Sequence, residues 1–190
     1  MTVEQLAAAV ATDARRSETE KDSKVRDQLA ADAGRDAQTC LERAPQAPAC
    51  LYYDGIALGL KARAHPLQAS EALKTMLEML GRAEAADPEY DQAGPARVQA
   101  LVLVKAPAWP LGPGDAEAGL AAARRAVALR PRYPPNVLAL AEAQAMTGDK
   151  HGAQESYRRA RDLSAGWPPG RDREDWLHEA DQALGRIALH

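Results

Sequence analysis

The sequence predicts an all-α protein built from stacked helical hairpins. Alanine and leucine dominate its 46% hydrophobic content, while phenylalanine is absent and aromatic residues make up 4%, a composition that favours closely packed helices over sheets. Prolines recur at positions 45, 88 and 131, separated by 43 residues each time. The stretch KARAHPL at 61–67 returns as KAPAWPL at 105–111, 44 residues later. These recurrences indicate a regular helical array.

Two helices are predicted before the array, within residues 1–46. Thr2 and Gln5 fit a capping box at the start of the first helix. The second helix is expected to end near Pro45, because proline cannot continue a helix interior. Apolar residues recur at helical spacing in both segments: Val3, Leu6, Val10, Val25, Leu29, Ala33, Ala37 and Leu41.

The repeating unit is predicted to be a helical hairpin, and one proline closes each unit. An amphipathic helix precedes each of these prolines, and another helix of similar length follows it. The units are a first hairpin at 47–90, a second hairpin with an extended elbow at 91–133, and a third hairpin at 134–165.

A second period, of 34 residues, appears in the C-terminal half, where Gly114-Asp115 returns as Gly148-Asp149. Thirty-four residues is the length of a tetratricopeptide repeat. The stretch 136–163 resembles that repeat, with small Ala141 in its first helix and small Ala160 in its second. We therefore expect a tetratricopeptide-like superhelix whose earlier units are stretched from 34 to 43 residues, with the added residues confined to the elbow.

The C-terminal segment departs from the repeat. The prolines and glycine of 167–170 break the chain, and a last amphipathic helix is predicted at 171–190, with Trp176, Ala180 and Leu184 on one face. A repeat array needs such a capping helix, because its final hairpin would otherwise expose an apolar face to water. The whole chain, 1–190, is predicted to form a single helical-repeat domain.

Charge and hydropathy exclude two classes of partner. The formal net charge is −3 with both signs mixed along the chain, so no basic field is present to hold a nucleic acid backbone. The longest apolar runs are far shorter than the roughly 20 residues that span a bilayer, and no transmembrane segment is predicted. The sequence does not open with the pattern of a signal peptide, and export stays open.

The sequence contains no recognisable catalytic or metal-binding motif. Its four histidines, His65, His151, His178 and His190, lie in separate predicted elements, without the paired spacing that zinc requires. The glycines at 112–114 lack the lysine of a phosphate-binding loop, and no serine lies in a nucleophile elbow. We therefore predict neither an enzyme nor a bound metal or cofactor.

Cys40 and Cys50 lie ten residues apart across a proline-rich turn. Such a turn brings the end of one helix near the start of the next, so a disulfide is geometrically plausible. The alternative is that both cysteines are small buried residues of a reducing compartment. A disulfide would indicate an oxidising compartment.

The two related stretches, 61–67 and 105–111, are interpreted as equivalent elbows that project from one edge of the array. His65 and Trp109 are the candidate contact groups for a partner, and positive charge comes from Lys61, Arg63 and Lys105. The alternative is that Trp109 fills a gap between hairpins.

The first helix of each hairpin is expected to line the concave face of a tetratricopeptide array. The candidate binding residues on that face are Tyr52, Ile56, Gln99, Val102, Leu138 and Glu142. This largely apolar set suits a peptide or a small apolar ligand, although Tyr52 is equally interpretable as a core residue.

Together, KARAHPL, KAPAWPLGPGD, AARRAVALRPRYPPN and the MTGD turn resemble the accessory T component of TRAP transporters (TatT-like proteins), over roughly 37–163. That family consists of bacterial envelope lipoproteins with degenerate tetratricopeptide hairpins. The resemblance implies association with a periplasmic solute-binding subunit and an apolar ligand passage. This chain shows no lipobox cysteine at its start.

The leading hypothesis is a non-enzymatic scaffold of the bacterial envelope or periplasm, which binds a protein partner or a small apolar ligand. The alternative is a cytoplasmic tetratricopeptide adaptor or assembly factor that binds peptide segments. The state of Cys40 and Cys50 separates the two hypotheses, because a disulfide is expected only in the envelope.

Overall fold

The computed structural model describes residues 1–188 and is all-α, as predicted. The last two positions of the predicted capping helix, 189–190, lie outside the described residues. Within the described part of the chain there are nine α-helices and no strand: α1 Val3–Thr19, α2 Ser23–Arg43, α3 Pro48–Ala64, α4 Ala69–Ala86, α5 Tyr90–Lys105, α6 Ala116–Leu129, α7 Pro134–Met146, α8 Lys150–Ala165 and α9 Arg171–Ala188. A single turn of 3₁₀ helix, Pro66–Gln68, precedes α4.

The helices form two compact units. The first unit contains Met1–Tyr90 together with the short loop Pro107–Pro113, and the second contains Asp91–Ala106 and the chain from Gly114 onward. The first unit therefore holds α1 to α4, and the second holds most of α5 and all of α6 to α9.

In the first unit, α1 packs on both α2 and α3, and α4 packs on α3. The predicted capping box at the start of α1 is confirmed, because Gln5 N donates to Thr2 Oγ1 (3.2 Å) and Thr2 N donates to Gln5 Oε1 (2.7 Å). The centre of the unit is made of small residues that let the helices approach closely. They are Val10, Ala33, Ala37 and Ala57.

A disulfide joins the end of α2 to the start of α3. The sulfur atoms of Cys40 and Cys50 are 2.02 Å apart, and both residues are buried beside Leu6. The sequence left open whether these cysteines are bridged, and in the structure they are. The bridge fixes α2 and α3 as a hairpin at their joined ends.

In the second unit, α7 and α8 form the hairpin that the 34-residue period predicts. Its turn needs a glycine, since Gly148 has a φ of +86°. Asp149 then caps α8 by accepting a hydrogen bond from Gly152 N (2.8 Å). The last helix, α9, packs on α8, with Ala180 and Ala183 buried.

Three consecutive residues at the start of the second unit have left-handed backbone angles. Asp91, Gln92 and Ala93 have φ values of 48°, 57° and 63°. This conformation costs a non-glycine residue roughly 1–2 kcal/mol. The segment therefore needs compensating contacts, which the regular part of α5 and the first turn of α7 supply.

Arg97 and Asn136 supply these contacts. Arg97 Nη1 donates to the carbonyl oxygens of Asp91 (3.1 Å) and Gln92 (3.3 Å), and its Nη2 donates to the Asp91 carboxylate (2.8 Å). The fully buried Asn136 donates from Nδ2 to the Gln92 carbonyl (3.0 Å) and accepts from Arg97 Nη1 (3.1 Å). The Arg97 guanidinium also lies over the ring of Tyr133, 5.2 Å from its centroid.

The expectation that the added repeat length is confined to the elbow is wrong for the first hairpin. There α3 and α4 have 17 and 18 residues, whereas α7 and α8 of the third hairpin have 13 and 16, so most of the extra length lies in longer helices. In the second hairpin the extra residues do lie in the loop between α5 and α6.

The two related stretches consequently differ in structure. In KARAHPL the helix formers Lys61 and Arg63 continue α3 to Ala64, and Pro66 comes only after the helix has ended. In KAPAWPL the position of Arg63 is taken by Pro107, so α5 ends at Lys105 and the rest of the stretch is loop.

Candidate functional sites

The loop after α5 presents two large apolar side chains to solvent. Trp109 is 85% exposed and Leu111 is 77% exposed. The loop is nevertheless ordered by its own backbone, since Leu111 N and Gly112 N both donate to the Ala108 carbonyl (3.0 and 3.2 Å). Gly112 is required here, because a Cβ at this position would lie 2.6 Å from the Pro107 carbonyl oxygen. The peptide bond between Trp109 and Pro110 is cis.

Leu67, in the related stretch before α4, is also fully exposed, at 103%. Leu67, Trp109 and Leu111 all belong to the first compact unit, and we call them the apolar edge. Trp109 does not fill a gap between hairpins, the alternative that the sequence left open. Most large apolar side chains of the described residues are buried or half-buried, so each residue of the apolar edge is a position where contact with a partner is favourable.

The charged residues predicted around these stretches lie in two places. Lys61, Arg63 and His65 are exposed at the C-terminal end of α3, in the first unit. Lys105 belongs to the second unit, where its Nζ lies 4.0 Å from Glu142 Oε1 of α7.

The residues predicted for the concave face divide between core and surface. Tyr52 and Leu138 are buried in the core, and neither lines the groove described below. Tyr52 packs edge-on against Tyr53 and Tyr90, with ring centroids 5.1 and 5.5 Å away. The other four predicted residues are half-buried: Ile56, Gln99, Val102 and Glu142.

Lys105 and Glu142 form part of a polar cluster in the second unit. The buried Tyr157 donates from its hydroxyl to Glu142 Oε2 (3.2 Å). Burial, and then the neighbouring Glu142 carboxylate, raise the pKa of Tyr157, so this hydroxyl stays protonated and remains a donor. Burial also raises the pKa of Glu179 on α9, which Lys105 opposes. Glu142 contacts both Lys105 and Tyr157, so the cluster holds α5, α7 and α8 together.

A groove runs along the first unit between α2 and α3, with a volume of about 640 Å³. Lys61 and His65 line one end of it, so two of the predicted contact residues border this groove. Small residues form its floor: Ala30, Ala31, Gly34 and Ala57.

Asp54 is the unexpected residue of this groove. It is 5% exposed, and its Oδ1 accepts a hydrogen bond from Gln38 Nε2 (2.9 Å). Burial raises the pKa of this carboxyl group, while the Gln38 hydrogen bond and the positive charge of Arg82 act in the opposite direction. The sequence does carry a signal for it, because Asp54 is the only charged residue in the otherwise apolar stretch 48–60. The apolar periodicity of α3 does not reveal Asp54, because one polar residue leaves the spacing of the apolar positions unchanged.

The described residues contain no group of three or more His, Cys, Asp or Glu side chains arranged to hold a metal ion. No helix among them is both long and apolar enough to cross a membrane. The chain matches no protein-family model, and no curated protein is significantly similar to it. The function proposed below is therefore argued from the residues themselves.

Proposed function

We propose that this protein is a non-enzymatic scaffold of the tetratricopeptide type that binds a protein partner through the apolar edge. The exposure of Trp109 is the observation that carries the proposal. Transfer of a whole tryptophan side chain out of water is worth several kcal/mol, and tryptophan is among the residues that dominate binding energy at interfaces. A chain that leaves Trp109, Leu111 and Leu67 in water gains this energy only on association.

The loop around Trp109 also has the order that a binding surface needs. Its backbone hydrogen bonds and its close turn at Gly112 order the backbone on both sides of Trp109 before a partner arrives. Little conformational entropy is then lost on binding, which favours affinity. Lys61 and Arg63, exposed on α3 in the same unit, add positive charge that speeds the encounter with an acidic surface.

The cellular setting of the proposal is the bacterial envelope, with a periplasmic solute-binding subunit as the partner. The motif resemblance to TRAP-transporter T components supports this setting. The bonded pair Cys40 and Cys50 supports it as well, because disulfides persist in oxidising compartments. A cytoplasmic adaptor for peptide segments is the competing role, and the buried disulfide does not favour it.

Photo-cross-linking in intact cells tests the partner and the compartment together. A benzophenone amino acid replaces Trp109, and a control carries it at Met146, which is 55% exposed at the end of α7. We expect one discrete cross-linked product from position 109 only, containing a periplasmic solute-binding protein. A cytoplasmic partner at position 109 would favour the adaptor, and equal products from both positions would contradict a specific surface.

A further inference from the structure

The groove between α2 and α3 is a second candidate site, distinct from the apolar edge. It is bordered on one side by Asp54, Ala57, Leu58, Lys61 and His65, which recur at helical spacing along α3. From Asp54 to His65 the helix rises about 16 Å, which is the length of a small extended molecule. Its volume of about 640 Å³ is in the ordinary range for small-molecule sites.

The groove exists because α2 carries small residues where it faces α3. Ala30, Ala31 and Gly34 line this side, and a Cβ added at Gly34 would meet no atom within 4 Å. The disulfide between Cys40 and Cys50 fixes the two helices at their joined ends, so the groove is preformed. The small side chains of this floor offer an apolar surface to a ligand.

Asp54 is a buried carboxylate that forms no direct ion pair with a described residue, although the positive charge of Arg82 acts on it from a distance. Among the residues that the structure describes, no basic side chain lies within ion-pairing distance of its carboxylate, and Gln38 gives it one hydrogen bond. Arg35, which also lines the groove, is paired with Asp32. Lys61 lies two helical turns away, roughly 10 Å along α3. Buried carboxylates without a partner are unfavourable, and they cluster at binding sites.

We propose that the groove binds a small organic cation, whose ammonium or guanidinium group pairs with Asp54 and whose apolar chain lies over Gly34 and Ala57. A metal ion does not fit, since the described residues hold no group of three or more His, Cys, Asp or Glu side chains arranged to bind one. An anion is disfavoured at the same end, where Glu42 lies one turn beyond Gln38 on α2.

Binding of three six-carbon probes to the full chain tests the head group. Hexylammonium, 1-hexanol and hexanoate share one apolar chain and differ only in charge. We expect hexylammonium to bind in the millimolar range or tighter by calorimetry or NMR titration, and at least about tenfold more tightly than the other two. Equal affinity for hexylammonium and hexanol would overturn the proposal.

Two variants, each with a matched control, test whether hexylammonium binds in this groove. Asp54→Asn keeps the shape and the Gln38 hydrogen bond, and should weaken hexylammonium binding about tenfold or more, whereas Asp27→Asn at the exposed rim should change it less than about threefold. Gly34→Leu fills the groove while raising helix propensity, and should abolish binding with Asp54 intact. The control Gly81→Leu, also with open space at its Cβ, should leave binding unchanged.

These variants keep the proposal falsifiable if Asp54→Asn folds poorly, because Gly34→Leu gives an independent result. Binding that survives Gly34→Leu, or that is lost equally in Gly81→Leu, would overturn the assignment to this groove. The cross-linking pattern from position 109 is expected to be the same in Gly34→Leu as in the parent chain, so this test does not depend on the proposed partner.

Discussion

At the scale of single residues, the buried Asp54 carboxylate should make the free energy of unfolding depend on pH. Burial raises its pKa, so the folded chain binds the proton more tightly than the unfolded chain does. The ionised carboxylate therefore destabilises the fold at neutral pH. This destabilisation disappears as the pH falls below about 3.9, the pKa of an unperturbed aspartate.

Asp54→Asn should accordingly raise the free energy of unfolding at pH 7, by on the order of 1 kcal/mol, and leave it unchanged near pH 3, where both side chains are neutral. Urea denaturation at the two pH values measures the difference. Asp27→Asn, exposed at the groove rim, is the control and should change the free energy of unfolding at pH 7 by less than about 0.5 kcal/mol. A loss of stability at pH 7 in Asp54→Asn would mean that the protein itself stabilises the charge.

For single residues, the sequence predicted local interactions, but it did not predict which side chains are exposed or which charged group is buried. The Thr2 and Gln5 capping box is a local signal, and local signals survive in the structure. The exposure of Trp109 depends on which neighbours the fold supplies, so the sequence left two interpretations open. Asp54 was missed because a single polar residue in an apolar helix does not disturb the periodicity.

At the scale of elements, the two stretches KARAHPL and KAPAWPL show how one substitution changes an elbow. Arg63 continues α3, whereas Pro107 lies at the matching position after α5, and the ten residues 106–115 form a loop between α5 and α6. Similar sequences therefore do not guarantee the same secondary structure. Proline position, rather than overall similarity, decides where each helix ends.

The left-handed segment at 91–93 was not predicted, because the pattern of apolar residues around it gives no sign of that conformation. Asn136 has three carbonyl oxygens as acceptors for its Nδ2, those of Gln92 (3.0 Å), Ala126 (3.1 Å) and Arg130 (3.3 Å). It therefore links the left-handed segment to α6 and to the start of α7. Such a contact joins positions 44 residues apart, which local periodicity cannot detect.

Asn136→Ala should lower the free energy of unfolding by about 3 kcal/mol, because it removes the hydrogen bonds that this fully buried amide makes to α6, to the left-handed segment and with Arg97, and leaves a cavity in its place. Chemical denaturation measures the loss, and hydrogen exchange should show faster opening at the start of α5 than in the parent chain. Gln182→Ala, exposed on α9, is the control and should change stability by less than about 0.5 kcal/mol. A loss no larger than the control's would show that this network does not hold the segment.

At the scale of the whole molecule, composition and repeat length predicted the all-α class because they average over many residues. The hairpin of α7 and α8 follows the 34-residue period. The site residues were harder to predict, since Tyr52 and Leu138 turned out to be core residues while Lys61 and His65 border a groove. Which face of a helix is covered depends on contacts between distant segments, which one sequence does not specify.

The proposed function requires that Trp109 contributes to binding and not to folding. The most direct test is to measure, for Trp109→Ala, both the free energy of unfolding and the dissociation constant for the partner cross-linked at that position. We predict a change in stability below about 0.5 kcal/mol, as for an exposed side chain, and at least about 30-fold weaker binding. A large loss of stability, or unchanged affinity in a fully folded variant, would contradict the account.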